Sequence, residues 1–579
     1  MMFYKETNFK ETPIGKIPKD WEVVKLGDEK VSELVKSGST PLKKIKEYWN
    51  GNIPFVTIGD MTKVEHYLYE TSEKITTKAL KDTNLLLIPK NSILLSMYGT
   101  IGKVLINKIP VVVSQNIAAI IPAKDINKEY LLFALQKYSF QFRRTKIITL
   151  KHLDIKIVKN CLLPLPHFPE QQKIAEILST VDEAIQKTNE IIAKTERLKR
   201  GLMQELLTKG LILGFMFDTN IFDEILNEKI ELPKNLKYYV THIQYDEILN
   251  IPIDKKERRE KLLKIFDKVP KEVIATEGAV VDVSIVELSK VMSEKDAELY
   301  DKMLKKLKEL DEKSGKKKTP ENQARDILIT LTCMKNCLTL VTNDNNLKKV
   351  AQEFQCSAIT FEQLLKGEYR EFKDTEMGKV PKEWEVTKLD EACIKIKAGG
   401  TPLTSKKEYY DGNIPFVKIE DLTSSYKYLK STSTTITDAG LKNSSAWLVP
   451  VKSLLVAMYG SIGAIAINEI EVATNQAILA ILPIEEKTNV EFLFYLLTHL
   501  KPLLERHAKQ TTQANLTAEI VKNFKVVLPN YFEQQKIAEI LSIMDKKLEL
   551  ERNEKAKLER IKQGLMDLLL TGKIRVKVN

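Results

Sequence analysis

One ten-residue string, EQQKIAEILS, occurs twice, at 170–179 and again, letter for letter, at 533–542. An identical decamer in a chain of 579 residues is an internal repeat, so the fold must accommodate two copies of one unit. Each copy opens a long helical pattern. In the first, Ile174, Leu178, Val181, Ile185, Thr188, Ile192 and Thr195 recur at alternating steps of four and three. In the second, Ile537, Leu541, Met544, Leu548, Leu558, Leu565 and Leu569 keep the same rhythm, interrupted by Glu551 and Lys555. A 3.5-residue period with charges between the apolar positions predicts a coiled-coil seam. Glu170 to Thr208 as one helix would extend roughly 58 Å, at about 1.5 Å per residue. A stripe that long needs a partner, and the other copy is the natural one.

The repeat runs well beyond the decamer. FKETPIGKIPKDWEVVKL at 9–26 matches FKDTEMGKVPKEWEVTKL at 372–389, and GSTPLKKIKEYWNGNIPFV at 38–56 matches GGTPLTSKKEYYDGNIPFV at 399–417. MYGTIG from Met97 matches MYGSIG from Met458, and RLKRGLMQELLTKG from Arg197 matches RIKQGLMDLLLTGK from Arg560. The unit is a module of about 150 residues followed by a helix of about 40, used twice. Within a module, β-branched runs at 53–58, 92–96, 103–107 and 111–121 are bounded by Gly, Pro and Asn and predict strands. A helical stretch at 128–138 has its match at 489–498.

Residues 211–367 have no counterpart in the other unit. GFMFDTNIF, YYVTHIQYDEI, RDILITLTCMKN and LTLVTNDNNLKKVAQEF alternate strand with helix, which predicts a parallel, doubly wound α/β sheet. An insertion at an exposed junction is expected to fold by itself, with little packing across its ends. The predicted class is therefore α+β: two tandem modules joined by long antiparallel coiled-coil helices, with an inserted α/β domain. The expected boundaries are 1–169, 170–210, 211–367, 368–532 and 533–579.

Composition narrows the function classes. Hydrophobic residues at 43% and charged residues at 29% suit a globular protein, and no run of eighteen apolar residues supplies a membrane span. MMFYKETNFKETP lacks the apolar core of a secretory signal, and Cys161, Cys333, Cys337, Cys356 and Cys393 show no paired metal spacing, so a cytoplasmic location is expected. A net charge of +12 suits a polyanion partner.

The tandem arrangement, the WEVVKL and WEVTKL openings, the NIPFV strands, the MYGxIG loops, the EQQKIAEIL helix starts and the LLT ends resemble the DNA-specificity subunit of type I restriction–modification enzymes. The resemblance implies that each module is a target-recognition domain reading one half of an asymmetric, two-part site on double-stranded DNA. It implies that the helices are the spacer between the halves, and that the chain docks two methyltransferase subunits and motor-nuclease restriction subunits. It also implies no catalytic site and no cofactor in the modules. S-adenosylmethionine and ATP are expected on the partner subunits only, in keeping with the lack of an NPPY- or DPPF-like motif and of a GxxxxGK[ST] loop.

Basic residues are the expected phosphate contacts: Lys43, Lys44, Lys46, Arg143, Arg144 and Lys146 in the first module, and Lys406, Lys407, Lys427, Lys430, Arg506 and Lys509 in the second. Amide and hydroxyl clusters are the expected base readers: Ser114, Gln115 and Asn116, then Thr474, Asn475 and Gln476, with Thr511, Thr512 and Gln513. KIITLKHLD after Arg144 faces KQTTQANLT from Lys509, so His152 stands where Asn515 does and the two half-sites are expected to differ.

The inserted segment resembles a PIN domain, a small nuclease fold. That resemblance implies acids at strand ends holding Mg²⁺ or Mn²⁺ that activates water on a phosphodiester. The matching positions are Asp218 in FDTN, Glu247 in QYDEI, Asp326 in ARDIL and Asp344 in VTND, with Asp246 as the alternative to Glu247.

Overall fold

The computed structural model describes residues 3–142, 153–228, 230–280, 283–509 and 516–577. It divides into two compact units, Met1–Lys194 with Leu548–Asn579, and Thr195–Lys547. Both division points fall inside long helices, Phe168–Thr208 of 41 residues and Tyr531–Leu569 of 39. Each unit thus holds one module and part of both helices. The second also holds the insertion. The predicted seam is visible in the burial. Ile174, Leu178, Thr188 and Thr195 are buried on one helix and Ile537, Leu541, Leu548 and Leu569 on the other.

In the first unit, Ile174, Ala175 and Leu178 share a core with Met566, Leu569 and Leu570, so the start of one helix lies against the end of the other. The module's main sheet has five strands in the order Ser32–Ser37, Ile117–Pro122, Ile93–Ser96, Val104–Asn107 and Tyr67–Leu68, antiparallel except for the last pair. Helix Lys128–Tyr138 covers it, capped by Asn127, whose side chain accepts the Tyr130 amide at 2.9 Å. A smaller sheet pairs Trp49–Val56 with Glu73–Ile75 and Val112–Val113. The first and last strands, Phe3–Lys5 and Ile574–Val576, pair antiparallel.

The second unit repeats this plan. Its five-stranded sheet runs Cys393–Ala398, Ile478–Pro483, Leu454–Ala457, Ile465–Asn468, Tyr428–Leu429, and Leu455 pairs with Ala480 as Leu94 does with Ala119. Met203, Leu206 and Leu207 lie in one core with Ile537, Ala538 and Leu541, again start against end.

The insertion carries five short parallel strands in the order Glu272–Val273, Tyr238–Val240, Phe215–Phe217, Thr339–Val341 and Ala358–Ile359. The first strand in sequence lies at the centre. Met216 packs into the core on one face, and Phe215 and Phe217 into the core on the other, as the alternation of a strand covered on both sides requires.

The insertion is less self-contained than its junction suggested. Phe532, on the second long helix, packs against its core. Asn530 Nδ2 donates to the Gln355 carbonyl at 2.9 Å, and Lys348 pairs with Glu371 at 2.8 Å. Returning to the second module, the chain is fixed by buried Arg370, which donates to both oxygens of Glu533 at 2.9 Å and to Glu383 at 2.6 Å. The same Glu533 accepts the Leu211 amide at 2.8 Å where the insertion begins. Both ends of the insertion therefore meet on one carboxylate.

Candidate nucleic-acid interface and an acid cluster in the insertion

In each module a glycine lets one loop lie against the end of a strand, Val112–Val113, parallel to Trp49–Val56, in the first and Val472–Thr474, parallel to Tyr410–Val417, in the second. A Cβ on Gly38 would sit 1.9 Å from the Val113 carbonyl oxygen, and one on Gly399 1.8 Å from that of Thr474. Neither position tolerates a side chain. The next amides close the contact, Ser39 donating to the Val113 carbonyl at 3.1 Å and Gly400 to that of Thr474 at 3.0 Å, so the start of each lysine-bearing loop is anchored at the strand end that precedes Gln115 or Gln476. Lys43, Lys44 and Lys46 are exposed in the first, and Lys406 and Lys407 in the second.

At the turns, Gln115 and Gln476 occupy matching positions and both are exposed. Gln476 accepts a hydrogen bond from the Thr401 hydroxyl. Their neighbours serve the fold. Ser114 and Thr474 are buried, Asn116 accepts the Met97 amide through its main-chain carbonyl at 2.8 Å, and the Asn475 side chain accepts the Ala477 amide at 3.0 Å. Lys430 and Arg506 are exposed. Arg143, Arg144, Lys146, His152, Thr511, Thr512, Gln513, Asn515 and the side chain of Lys509 lie outside the described residues.

Lys427 is not a phosphate contact. It is buried, and its ammonium donates to Glu491 at 3.1 Å, Tyr495 at 3.0 Å and Ser542 at 2.7 Å. Burial lowers its pKa, against the pull of Glu491. Beside it, Asp545 pairs with Lys199 and accepts from Tyr495 at 2.5 Å. The first unit has the matching joint. Asp182 pairs with Lys562 at 2.7 Å, and His66, standing where Lys427 does, brings Nε2 to 3.0 Å from Asp182. Burial pushes Asp182 up, but His66 and Lys562 hold its carboxyl below the usual range. Each joint takes one residue from the module and one from each long helix.

A second joint uses the decamer. Glu170 accepts Trp21 Nε1 at 3.1 Å and the Arg575 guanidinium at 2.7 and 2.8 Å, and Arg575 also reaches Glu6 and Asp20 at 2.9 Å. In the second unit Glu533 accepts Trp384 at 3.2 Å and Arg370 supplies the guanidinium. Gln171 accepts the Asn127 amide at 3.0 Å and donates to Pro166 at 3.0 Å. Gln534 does the same with Asn489 and Pro529, each at 2.8 Å.

In the insertion, the chain passes from Phe215–Phe217 to a strand on one side of the sheet and from Thr339–Val341 to a strand on the other, the place where a doubly wound sheet opens a crevice. Asp218 follows Phe217 there and Asp344 lies beyond Val341. Helix Pro320–Lys335 brings Asp326, and helix His242–Leu249 brings Glu247. Asp218, Asp326 and Asp344 are 4%, 7% and 6% exposed. The Asp218 carboxylate accepts the Thr342 hydroxyl and the Asn220 amide, both at 2.6 Å. Glu247 accepts from Thr219 and lies 4.0 Å from Arg325. Burial raises Asp218, pushes Asp326 well up with Asp218 adding to it, and lifts Glu247 to about 7. The Thr219 hydroxyl, one residue after Asp218, and Arg325, one residue before Asp326, place Glu247 beside the cluster.

The four acids gather, yet their donor atoms do not form a metal cage. Among the described residues no group of three His, Cys, Asp or Glu could hold a metal ion. Lys318 takes the central place, paired with Asp326 and, at 2.6 Å, with Asp344. As they stand, the residues do not fit Mg²⁺ or Mn²⁺. Among the described residues no helix is long and apolar enough to cross a membrane.

Segments 18–197 and 381–560 match a family model described as the type I restriction modification DNA specificity domain. The chain is 41% identical over 196 residues to the type I restriction enzyme MjaIX specificity subunit of Methanocaldococcus jannaschii, covering 33% of this chain and 45% of that one, less than half its length. Against the MjaVIII specificity subunit of the same organism it is 24% identical over 589 residues, covering 100% of this chain and 98% of the other. The crystal structure of a type I restriction–modification system S subunit from M. genitalium aligns over 97% of both chains with 13% identity and a TM-score of 0.42.

Proposed function

The chain belongs to the type I restriction–modification DNA specificity family, and from that premise we propose that its two modules read the two unlike halves of one double-stranded DNA site. The observation that carries this is the matched pair of exposed faces. Each anchors the start of a loop with exposed lysines, suited to phosphates, at the strand end that leads into an exposed glutamine, Gln115 or Gln476, suited to a base edge. The loops around those glutamines differ in sequence, which supports an asymmetric target. The chain itself supplies recognition. Methyl transfer and DNA translocation fall to methyltransferase and restriction subunits, which bring S-adenosylmethionine and ATP, in the cytoplasm where the DNA is.

The test is binding to duplexes carrying both half-sites, with the methyltransferase partner present, as the gap between halves is varied. One extra base pair turns one half relative to the other by roughly 34°, given about 10.5 base pairs per turn. Specific affinity should fall sharply with that single insertion. Equal affinity at every gap length would refute the reading.

The strand order and the acids at the sheet's carboxyl edge support a PIN-type fold for the insertion. A metal-dependent ribonuclease steered by the flanking modules is the second reading. The gathering of Asp218, Glu247, Asp326 and Asp344 favours it, and Lys318 stands against it. Metal-dependent cleavage of single-stranded RNA, lost in Asp218→Asn, would establish it.

A further inference from the structure

We propose that Lys318 is the resident cation of the insertion's acid cluster, and that it and a divalent ion exclude one another from Asp326 and Asp344. The inference rests on the placement of these side chains and is independent of the DNA-recognition reading.

Buried carboxylates need a positive partner, because an uncompensated charge in a low-dielectric site is strongly unfavourable. Here three aspartates are almost wholly buried and Glu247 is half-buried beside them. The Lys318 ammonium bridges two of them, and Lys316 reaches the other oxygen of Asp344 at 2.6 Å. A divalent ion bound by Asp326 and Asp344 would occupy the space of that ammonium, and the two cations would repel at close range. One must leave before the other can enter.

The lysine is delivered by a built loop. Helix Glu294–Ser314 ends on Gly315 in the left-handed conformation, φ 72°, and the Lys316 amide returns to the Asp311 carbonyl at 2.9 Å. Four residues on, Thr319 caps the next helix by accepting the Asn322 amide at 3.2 Å, with Pro320 in its first turn. The run Lys316–Lys317–Lys318 is thus pinned at both ends. Buried Asp311 ties the loop to the helix that Asp344 caps: Asn346, in its first turn, donates to Asp311 at 2.8 Å and to Ser314 at 2.7 Å. The cluster and the lysine that fills it form one structure. As it stands, the cluster carries its own cation, and a divalent ion has no place on Asp326 and Asp344 while Lys318 stays.

The experiment measures Mn²⁺ binding to the full chain by electron paramagnetic resonance, together with melting temperature with and without MnCl2. Wild type should bind weakly and melt at the same temperature in both. Lys318→Ala should melt lower without metal and bind Mn²⁺ at least about tenfold tighter, about 1.4 kcal/mol, with a saturable rise in melting temperature. Adding Asp326→Asn to Lys318→Ala should abolish that gain. Should Lys318→Ala fail to fold, Lys318→Gln keeps the side-chain length without the charge, and recovery of folding by Mn²⁺ would count for the proposal. Tight, saturable Mn²⁺ binding by wild type that Asp218→Asn removes would overturn it. So would equal affinity of wild type and both Lys318 variants.

Discussion

Arg370 shows how much a single side chain can hold together. It satisfies two buried carboxylates, Glu383 and Glu533, and its Nη1 lies within 3.4 Å of the carbonyls of Lys209 and Leu211. Arg370→Met would leave both acids buried without their cation. A loss on the order of 3–5 kcal/mol is expected in thermal or denaturant unfolding of the second unit. Adding Glu533→Gln should recover part of it, and an unchanged melting curve for the single variant would show that the cluster is dispensable. At the surface proposed to face DNA the expectation is different in kind. Lys43→Ala with Lys44→Ala should weaken binding to all sequences alike and flatten the salt dependence, by about 0.9 in log–log slope per lost phosphate contact. Gln115→Ala should instead relax preference within the first half-site only. These roles were unequally legible in the sequence. Lysines in a Gly–Pro loop are exposed almost by necessity, so Lys43 and Lys44 could be named in advance. Lys427 looks the same on paper, and only the fold shows it turned inward to Glu491 and Tyr495. Arg370 and Arg575 were invisible for another reason. Ile212 stands at the repeat position of Arg575, so no alignment of the two units pairs the arginines that do the same work.

The long helices were the most legible elements, because a 3.5-residue period can be met only by a packed seam. Even Glu551 and Lys555, which break the pattern, are half-buried on it. Ile185→Asp places a charge on that seam and should lower the stability of the first unit and impair methyltransferase docking, read by melting and by co-elution of the complex. The joints that fasten each module to the helices were not legible. His66, Asp182 and Lys562 lie far apart in the sequence and have no motif. Asp182→Asn leaves Lys562 and His66 without their shared carboxylate. A loss of about 1–3 kcal/mol is expected, with a wider tolerance of gap length in DNA binding, because the module's angle on the helices is no longer fixed. Full gap selectivity in that variant would mean that the apolar contacts alone set the angle. The four acids of the insertion are named by the PIN resemblance; Asp218 and Asp344 follow strands, whereas Glu247 and Asp326 stand on helices. Lys318 could not be foreseen, because a Lys-rich loop in a Lys-rich chain carries no signal until its two caps are seen to aim it.

For the whole molecule, the insertion is bound into the second unit more firmly than a guest at a surface junction. Replacing residues 211–367 with a short polar linker removes the Leu211 amide from Glu533 and the Gln355 carbonyl from Asn530, and exposes Phe532. That replacement, with Arg370 kept, should destabilise the second unit while the first melts unchanged, a split visible as two transitions in calorimetry. Site-specific DNA binding should survive at temperatures below the lower transition.

The twice-written decamer has a consequence for inheritance. Within it, Glu170 and Glu533 take the tryptophan and the arginine, Gln171 and Gln534 take the module's capping loop, and Ile174, Leu178, Ile537 and Leu541 fill the cores. The same work is asked of both copies, so drift is penalised in both, while the exposed loops proposed to read DNA are free to diverge. A module received from a relative by recombination would need only to match these few positions to seat correctly. New recognition could then be acquired in one step, with the framework that carries it left unchanged.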